Sequence, residues 1–183
     1  VQIATRGDHL DFGDLAEATH IAAPGSSPTR MVMAGGGNAS DVTISTIQSI
    51  TIASKGNAIK FGDITVKSRI GSGGCSNSVR ALFAGGYTPG VKFININVMN
   101  IASGGMAIEG GNLSHQIYSP MGVASQTRAV FAGGQDDSSP GKINNIQYVS
   151  ISTLGNAIDF GELTQPGRAG GSVSDSHGGL GGF

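Results

Sequence analysis

The sequence predicts an all-β protein built from repeated units of about 49 residues. An isoleucine-centred segment recurs at nearly constant spacing: Ile3 to Ile52 is 49 residues, Ile52 to Ile101 is 49, and Ile101 to Ile151 is 50. No segment has a convincing helical period, and the longest apolar segments are rich in β-branched residues, which suit strands. These observations predict an array of short antiparallel strands.

An apolar run that begins with arginine and ends in a glycine pair supplies the second strand of each unit. The three clear copies contain Arg30 with Gly35 and Gly36, Arg80 with Gly85 and Gly86, and Arg128 with Gly133 and Gly134. A weaker fourth copy lies around residues 177–183. We expect each glycine pair to stop its strand and to allow a close turn against a neighbour.

The remaining segments of each unit predict three more strands. The first strand is made of small residues and is expected at about 20–28, 70–78, 119–126 and 169–176. The third is the longest, at 42–52, 93–101 and 143–151. A tight turn with glycine, as at Gly56 and Gly155, leads to a fourth strand whose phenylalanine should pack on the adjacent unit. These phenylalanines are Phe12, Phe61 and Phe160.

Four antiparallel strands in a unit of this length are typical of one blade of a β-propeller. We therefore expect one propeller domain over residues 1–183, with a β-solenoid as the alternative. The blades are expected at about 20–64 (I), 69–113 (II), 118–163 (III) and 168–183 completed by 1–15 (IV).

The length leaves the blade number open. Four units of 49 residues would need 196, and the chain has 183. The sequence begins inside a third strand (1–4), continues into a fourth (8–15) and ends inside a second strand near Gly182. Either the ring has four blades, one of them thin, or the chain is the C-terminal part of a longer array. The absence of an initiator methionine indicates a processed chain or a fragment.

The repeat resembles the Kelch family, which has a glycine pair after the second strand and usually tryptophan where this chain has phenylalanine. Two sequence segments are similar to Kelch-like arrays in virion structural and tail-fibre proteins of tailed phages. They are Gly155-Asn156-Ala157-Ile158-Asp159-Phe160-Gly161-Glu162-Leu163-Thr164 and Arg128-Ala129-Val130-Phe131-Ala132-Gly133-Gly134. The resemblance covers the whole chain. It implies a propeller that serves in a virion.

Composition excludes several classes of partner. Charged residues make up 13% of the chain and the net charge is −1, which argues against binding nucleic acid or an anionic membrane. No apolar run approaches the roughly 20 residues of a membrane helix, and no signal peptide is expected from the sequence. Cys75 is the only cysteine and has no partner for an internal disulfide.

Recurring charged residues are the first candidates for a site. Arginine begins each second strand at Arg30, Arg80 and Arg128, and it recurs eight residues after the phenylalanine position at Arg69 and Arg168. These arginines either cap strand-end carbonyls and pair with acidic residues, or form a cationic ring that holds a carboxylate or a sulfated sugar. Asp14, Asp63 and Glu162 are expected to stabilise turns or to pair with those arginines.

The variable segments between the second and third strands are the second candidates. They cover residues 37–41, 87–90 and 135–141. Rigid scaffolds usually bind through such loops. Tyr87, Gln135, Asp136 and Asp137 are therefore candidate binding residues.

No grouping of residues predicts catalysis, a metal site or a cofactor. His9, His20, His115 and His177 fall at three different positions of the repeat. Tyr87, Tyr118 and Tyr148 fall at unrelated positions, and Cys75 has no matching partner, so the copper site of the Kelch-type galactose oxidase is not expected.

The functional hypothesis is a non-enzymatic, Kelch-like propeller that acts in a virion or its tail as a structural or host-adhesion module. Its expected partners are other virion or tail proteins and a host surface glycan or receptor, within an oligomeric assembly. Its expected location is the virion, or otherwise the extracellular space. The alternatives are a carbohydrate-binding propeller lectin and, more remotely, a Kelch-type oxidase.

Overall fold

The structure is a computed structural model that describes residues 8–136 and 141–174. Every regular element within these residues is a β-strand, as the sequence predicts. The strands are β1 (Thr19–His20), β2 (Ala23–Ser26), β3 (Arg30–Ala34), β4 (Gly37–Asn38), β5 (Thr46–Thr51), β6 (Ile59–Asp63), β7 (Gly74–Ser76), β8 (Arg80–Ala84), β9 (Tyr87–Thr88), β10 (Val91–Lys92), β11 (Asn95–Asn100), β12 (Gly105–Met106), β13 (Ile108–Asn112), β14 (Met121–Ala124), β15 (Arg128–Ala132), β16 (Asn145–Ser150) and β17 (Ile158–Glu162).

Three sheets share one plan, a four-stranded antiparallel meander whose spatial order follows the chain. Sheet I is β2-β3-β5-β6, sheet II is β7-β8-β11-β13 and sheet III is β14-β15-β16-β17. The short β12 adds to sheet I by pairing parallel with β6. Two small ladders, β1 with β4 and β9 with β10, lie at the ends of the meanders. The predicted four strands per unit are thus present in all three sheets.

The glycine pairs make the close turns that the sequence predicts. Both glycines of the three pairs that lie within the described residues have positive φ, between 65° and 114°. A Cβ on Gly35 would lie 2.3 Å from the carbonyl oxygen of Ser68, and one on Gly85 would lie 2.4 Å from that of Ile117. Any other residue would collide with the segment that leads into the next sheet.

The core lies between successive sheets. Ala81, Phe83, Met99 and Ile101 of sheet II are buried with Val32, Ala34 and Ile47 of sheet I. The other face of sheet II is buried against sheet III, through a cluster that includes Leu82, Ala84, Ile96, Val98, Ala129, Phe131, Val149 and Ile151. Because side chains alternate along a strand, sheet II is apolar on both faces and is covered on both.

The first strands of the sheets lie against one another, which explains their small residues. A Cβ on Gly74 would be 2.1 Å from the carbonyl oxygen of Pro24, and one on Gly122 would be 2.7 Å from that of Gly74. The first strand predicted at 169–176 is wrong for residues 169–174, which have no assigned strand. Residues 172–174 nevertheless lie beside β14, where Ser172 Oγ donates to the carbonyl of Gly122 at 2.7 Å.

The fourth strand of one unit is joined to the turn that follows the third strand of the next unit. Ala107 N donates to Asp63 O at 2.8 Å, and Gly155 N donates to Gly110 O at 2.7 Å. Phe61 also lies against this turn, because a Cβ on Gly104 would be 2.8 Å from its ring. The expectation that this phenylalanine packs on the adjacent unit is therefore confirmed for Phe61.

Strand lengths differ from those predicted. The first strands are three or four residues long. The third strands begin at residues 46, 95 and 145 rather than at 42, 93 and 143. The residue two positions before each third strand instead bonds back to the second glycine of the pair, as Ile44 N does to Gly36 O at 3.0 Å and Phe93 N to Gly86 O at 2.9 Å.

The predicted fourth strand at 8–15 is wrong, because these residues have no assigned strand. They nevertheless bond to the turn of the first unit as a fourth strand would: Gly56 N donates to Phe12 O at 2.9 Å and Ala58 N to Asp14 O at 2.8 Å. A ladder needs a partner on the other side, and none lies beside 8–15 within the described part of the chain. The expected strands at 1–4 and near Gly182 lie outside the described residues.

Candidate functional site

The arginines that begin the second strands bind backbone carbonyls of the neighbouring sheet. Arg30 Nη1 donates to the carbonyls of Ile101 and Ala102 at 2.7 and 2.8 Å. Arg80 Nη1 donates to those of Ile151 and Ser152 at 2.5 and 3.1 Å. The capping interpretation is confirmed for both residues. Arg128 is exposed and lies over the ring of Tyr148, with its guanidinium carbon 4.8 Å from the centroid.

These three arginines lie at the end of the sheets opposite the glycine pairs. The structure therefore does not bring them together with Tyr87 and Gln135, which directly follow two of the glycine pairs. We call the end that carries the glycine pairs and the variable segments the loop end. Arg69 and Arg168 lie at the loop end, so the two sets of recurring arginines have separate surroundings.

At the loop end, one backbone pairing recurs in three units with different side chains. His20 pairs with Gly37, Arg69 with Tyr87, and Tyr118 with Gln135. His20, Arg69, Tyr118 and Arg168 follow one another at spacings of 49, 49 and 50 residues and so occupy the same position of the repeat. For the first three residues, the pairing shows what that position does. It fixes the residue that leads into each first strand opposite the residue that follows the glycine pair.

Arg69 is buried and joins two units. Its Nη2 contacts the carbonyl oxygen of Asp41 at 2.5 Å and the Oδ1 of the same residue at 2.8 Å. His20 Nε2 lies 3.2 Å from the same Oδ1. The guanidinium carbon of Arg69 is 5.7 Å from the ring centroid of Tyr87. Arg69 thus has a structural pairing with an acidic residue, as one of the two interpretations expects.

The structure brings Tyr87 and Tyr118 together, which sequence reasoning missed. Their ring centroids are 4.7 Å apart with the planes at 53°. Two cations lie over the ring of Tyr118, Lys92 at 5.7 Å and Arg168 at 5.4 Å. The two tyrosines occupy different positions of the repeat, so periodicity could not pair them. No pattern in the sequence relates the two tyrosines. They meet because the variable segment of one unit, which carries Tyr87, contacts the segment that enters the next unit, which carries Tyr118.

The hydroxyl of Tyr118 connects the remaining candidates. It donates to Gln135 Oε1 at 2.9 Å and accepts a hydrogen bond from Arg168 Nη1. The backbone N–H of Asp136 donates to the carbonyl of Gly141 at 2.8 Å, which closes the base of the third variable segment. The predicted site residue Asp137 lies outside the described residues.

A cavity of about 620 Å³ opens at this surface. Its wall includes both tyrosines, the cationic side chains of Lys142 and Arg168, and the serines Ser72 and Ser119. Arg168 and Lys142 are exposed, and the two tyrosines are half-buried. This arrangement offers an aromatic surface next to two positive charges.

The recurring acidic residues do not pair with the recurring arginines. Asp63 accepts from Ser45 Oγ at 3.0 Å and lies 2.9 Å from Lys60 Nζ. Glu162 accepts from Asn144 Nδ2 at 3.1 Å. Both acids hold the end of the fourth strand to the residues that precede the third. Their turn-stabilising role is the one that these contacts support.

Buried amides on the third strands form a second repeated feature that sequence reasoning missed. Gln48, Asn97 and Gln147 occupy one position of the repeat and are each at most 2% exposed. Asn97 Oδ1 accepts from the N–H and the hydroxyl of Thr65 at 2.9 and 2.6 Å. Gln147 Oε1 accepts from Ser114 N at 2.8 Å. Each amide therefore anchors the connection that enters its own unit.

Cys75 is a packed thiol. It is 6% exposed and belongs to the core between sheets II and III. Burial disfavours the thiolate and raises the pKa of Cys75 from 9.0 to about 12. A thiolate is the reactive form, so this side chain is a poor nucleophile.

Within 8–136 and 141–174, no three His, Cys, Asp or Glu side chains are placed to hold a metal ion. In the same residues, no helix is long and apolar enough to cross a membrane. No protein-family model matches this chain, and no curated protein matches it at a significant level.

Proposed function

We propose that the chain is a Kelch-like β-propeller that acts, without catalysis, as a structural or host-adhesion module of a virion or its tail. The observation that carries this proposal is the recurring pairing at the loop end. It holds a constant backbone and presents His20, Arg69 or Tyr118 at equivalent positions. A constant scaffold with variable side chains is the usual construction of a binding surface.

Three contacts between units support the propeller. The meanders follow one another along the chain, their first strands pack together, and the outer strands of sheets I and II bond to the next turn. In a propeller the first strands lie around the axis, where only small residues fit. The close approach of Gly74 to Pro24, and of Gly122 to Gly74, agrees with that position.

Ring closure by a fourth blade is supported by two apolar faces that lack full cover. Ile52 at the end of sheet I is 46% exposed, whereas its equivalents Ile101 and Ile151 are each 1% exposed. On the far face of sheet III, Val130 is half-buried although its equivalent Leu82 is fully buried. Sheet II, with a neighbour on each side, shows how far these positions are buried once covered.

Residues 168–183 with 1–15 are the segments proposed to cover both faces. Residues 172–174 already lie beside β14, and residues 12–14 bond to the turn at 56–58. Between them is a cavity of about 520 Å³ whose lining includes Met31, Ile50, Ile52 and Val173. Closure would bury apolar surface and remove the open edges of the array.

The test of the virion assignment is the composition of purified particles from the native source. Particles are banded by density, and peptides of this chain are quantified by mass spectrometry across the gradient. Co-migration with the particle peak at a fixed ratio to the major structural proteins is expected. A chain found only in the soluble fractions would contradict the proposal.

A carbohydrate-binding function is the second candidate. It is favoured by the Tyr87–Tyr118 pair, because sugar-binding sites use aromatic rings as platforms and half-buried tyrosines offer an apolar face with a polar edge. Adhesion to a surface glycan would combine both candidates at one site.

A further inference from the structure

We propose that the loop-end cavity beside Tyr118, Arg168 and Lys142 binds a carboxylate-bearing sugar residue. The inference rests on the proposed adhesion function and names its ligand class. The cavity volume of about 620 Å³ lies within the roughly 300–1,000 Å³ of small-molecule sites.

The rim of the cavity is held by a left-handed backbone position that recurs in four units. Ile21, Gly71, Ser119 and Ala169 all line the cavity, and all have φ between 51° and 68°. This conformation is strained for any residue other than glycine, so Ile21, Ser119 and Ala169 are held in it against their own preference. Strain of this kind concentrates at functional sites.

Hydrogen bonds between successive units fix this rim. Gly71 N donates to Ile21 O at 2.9 Å, Ser119 N to Ile70 O at 3.2 Å, and Ala169 N to Ser119 O at 3.0 Å. The rim is therefore set before any ligand arrives, which lowers the conformational entropy lost on binding.

The two cations of the cavity wall retain donors for a ligand. Arg168 uses Nη1 to bond the hydroxyl of Tyr118, and a guanidinium has five N–H donors in all. Lys142 is exposed and forms no ion pair within the described residues. The Oδ1 of Asp41 already contacts Arg69 Nη2 at 2.8 Å and His20 Nε2 at 3.2 Å, and no ion pair joins it to Arg168 or Lys142 within the described residues. A carboxylate would thus gain charge-assisted hydrogen bonds.

The other wall residues favour a sugar as the carrier of that carboxylate. Tyr87 and Tyr118 provide aromatic surface for the C–H face of a pyranose ring, and Ser72 and Ser119 provide hydroxyls for its polar edge. The two cations of the cavity wall are too few for a nucleic acid, whose binding depends on many phosphate contacts. An acidic saccharide would contact the cations through its carboxylate, the tyrosines through its ring and the serines through its hydroxyls.

The purified chain is titrated by calorimetry with trigalacturonate and with sialyllactose, each beside its methyl ester. The ester keeps the sugar and removes the charge, so it isolates the carboxylate. We expect at least one acid to bind, and its ester to bind at least about tenfold more weakly, since a charge-assisted hydrogen bond contributes about 1.5–3 kcal/mol. Failure of both acids to bind, or equal binding of acid and ester, would overturn the inference.

Variants assign the binding to this cavity. Arg168→Gln and Lys142→Gln should each weaken binding about tenfold, and Tyr118→Phe should weaken it less because the ring remains. The matched control is Lys55→Gln with Lys60→Gln, two exposed lysines away from the loop end, which should bind as the parent does. Equal loss in the control would show attraction to general charge and would overturn the site.

The outcome is independent of the particle experiment. Binding that is abolished by Arg168→Gln, in a chain that does not co-migrate with particles, would keep the site and reject the virion role. Co-migration without binding of either acid would keep the virion role and reject the site. Melting temperatures of the exposed-residue variants, expected within a few degrees of the parent, separate lost binding from lost folding.

Discussion

Arg30 donates from Nη1 to the carbonyl oxygen of Ile101, 71 residues further along the chain, at 2.7 Å. The bond connects the start of the second strand of sheet I to the end of the third strand of sheet II. Arg80 and Ile151 repeat it at the same separation, between sheets II and III. One side chain per unit therefore ties each sheet to the next.

We expect Arg80→Ala to lower the free energy of unfolding by about 1.5–3 kcal/mol, because charge-assisted hydrogen bonds to the carbonyl of buried Ile151 and to that of exposed Ser152 are lost. Urea denaturation followed by circular dichroism measures this. Lys60→Ala is the control, since its exposed ion pair with Asp63 is worth at most about 1 kcal/mol. A cost for Arg80→Ala no larger than that of the control would show that the inter-sheet bond contributes nothing measurable.

Arg128→Ala tests ring closure with the same assay. Counting 71 residues onward from Arg128 around a four-unit ring of 196 leads to Ile3, so a closed ring would give Arg128 the same kind of carbonyl partner. In that case the variant should cost as much as Arg80→Ala. A cost below about 0.5 kcal/mol, typical of an exposed surface change, would contradict closure by a fourth blade.

Gly85→Ala should be strongly destabilising. The position has φ of 68°, and a Cβ would lie 2.4 Å from the carbonyl oxygen of Ile117, so the left-handed penalty adds to a steric clash, for about 2–5 kcal/mol in total. Gly90→Ala is the matched control, with φ of 87° and nothing within 4 Å, and it should cost only about 1–2 kcal/mol. Thermal denaturation distinguishes the two, and equal costs would mean that close approach is unimportant at the glycine pair.

Asn97→Ala should cost about 1–2 kcal/mol, because two hydrogen bonds from Thr65 to the buried amide are lost. Hydrogen exchange should also accelerate at the Thr65 amide, which is the direct sign of a released connection. Asn95→Ala removes an exposed bond to Glu109 and serves as the control. Unchanged exchange at Thr65 in Asn97→Ala would show that the amide does not anchor this segment.

Cys75 should react with a thiol reagent at pH 8 only after unfolding, because burial raises its pKa to about 12. The folded state therefore holds the proton between pH 9 and pH 12 while the unfolded state releases it. The stability tied to the neutral thiol is complete below pH 9 and is lost as the pH rises toward 12. The free energy of unfolding of Cys75→Ala should not show this loss between pH 9 and pH 12. If both proteins lose stability equally over that range, a group other than Cys75 causes the loss.

The repeat could be predicted because its signals are local. Each glycine pair is required by positive φ at that very position, and each third strand is marked by its own β-branched residues. The all-β class, four strands per unit and the close glycine turns therefore follow from neighbouring residues. Strand ends were less predictable, because Ile44 and Phe93 bond back to the glycine pair instead of extending the ladder.

The candidate site could be predicted only in part. Sequence spacing identified Arg69 and Arg168, and the variable segments identified Tyr87. Neither signal could join Tyr87 to Tyr118, whose contact depends on how one unit meets the next. The same holds for Arg30, whose carbonyl partner lies 71 residues away. The sequence by itself determined the unit and its strands, since these depend on backbone preference and periodicity. Only the tertiary structure decided which side chains meet, because packing between units brings together residues that no local pattern relates.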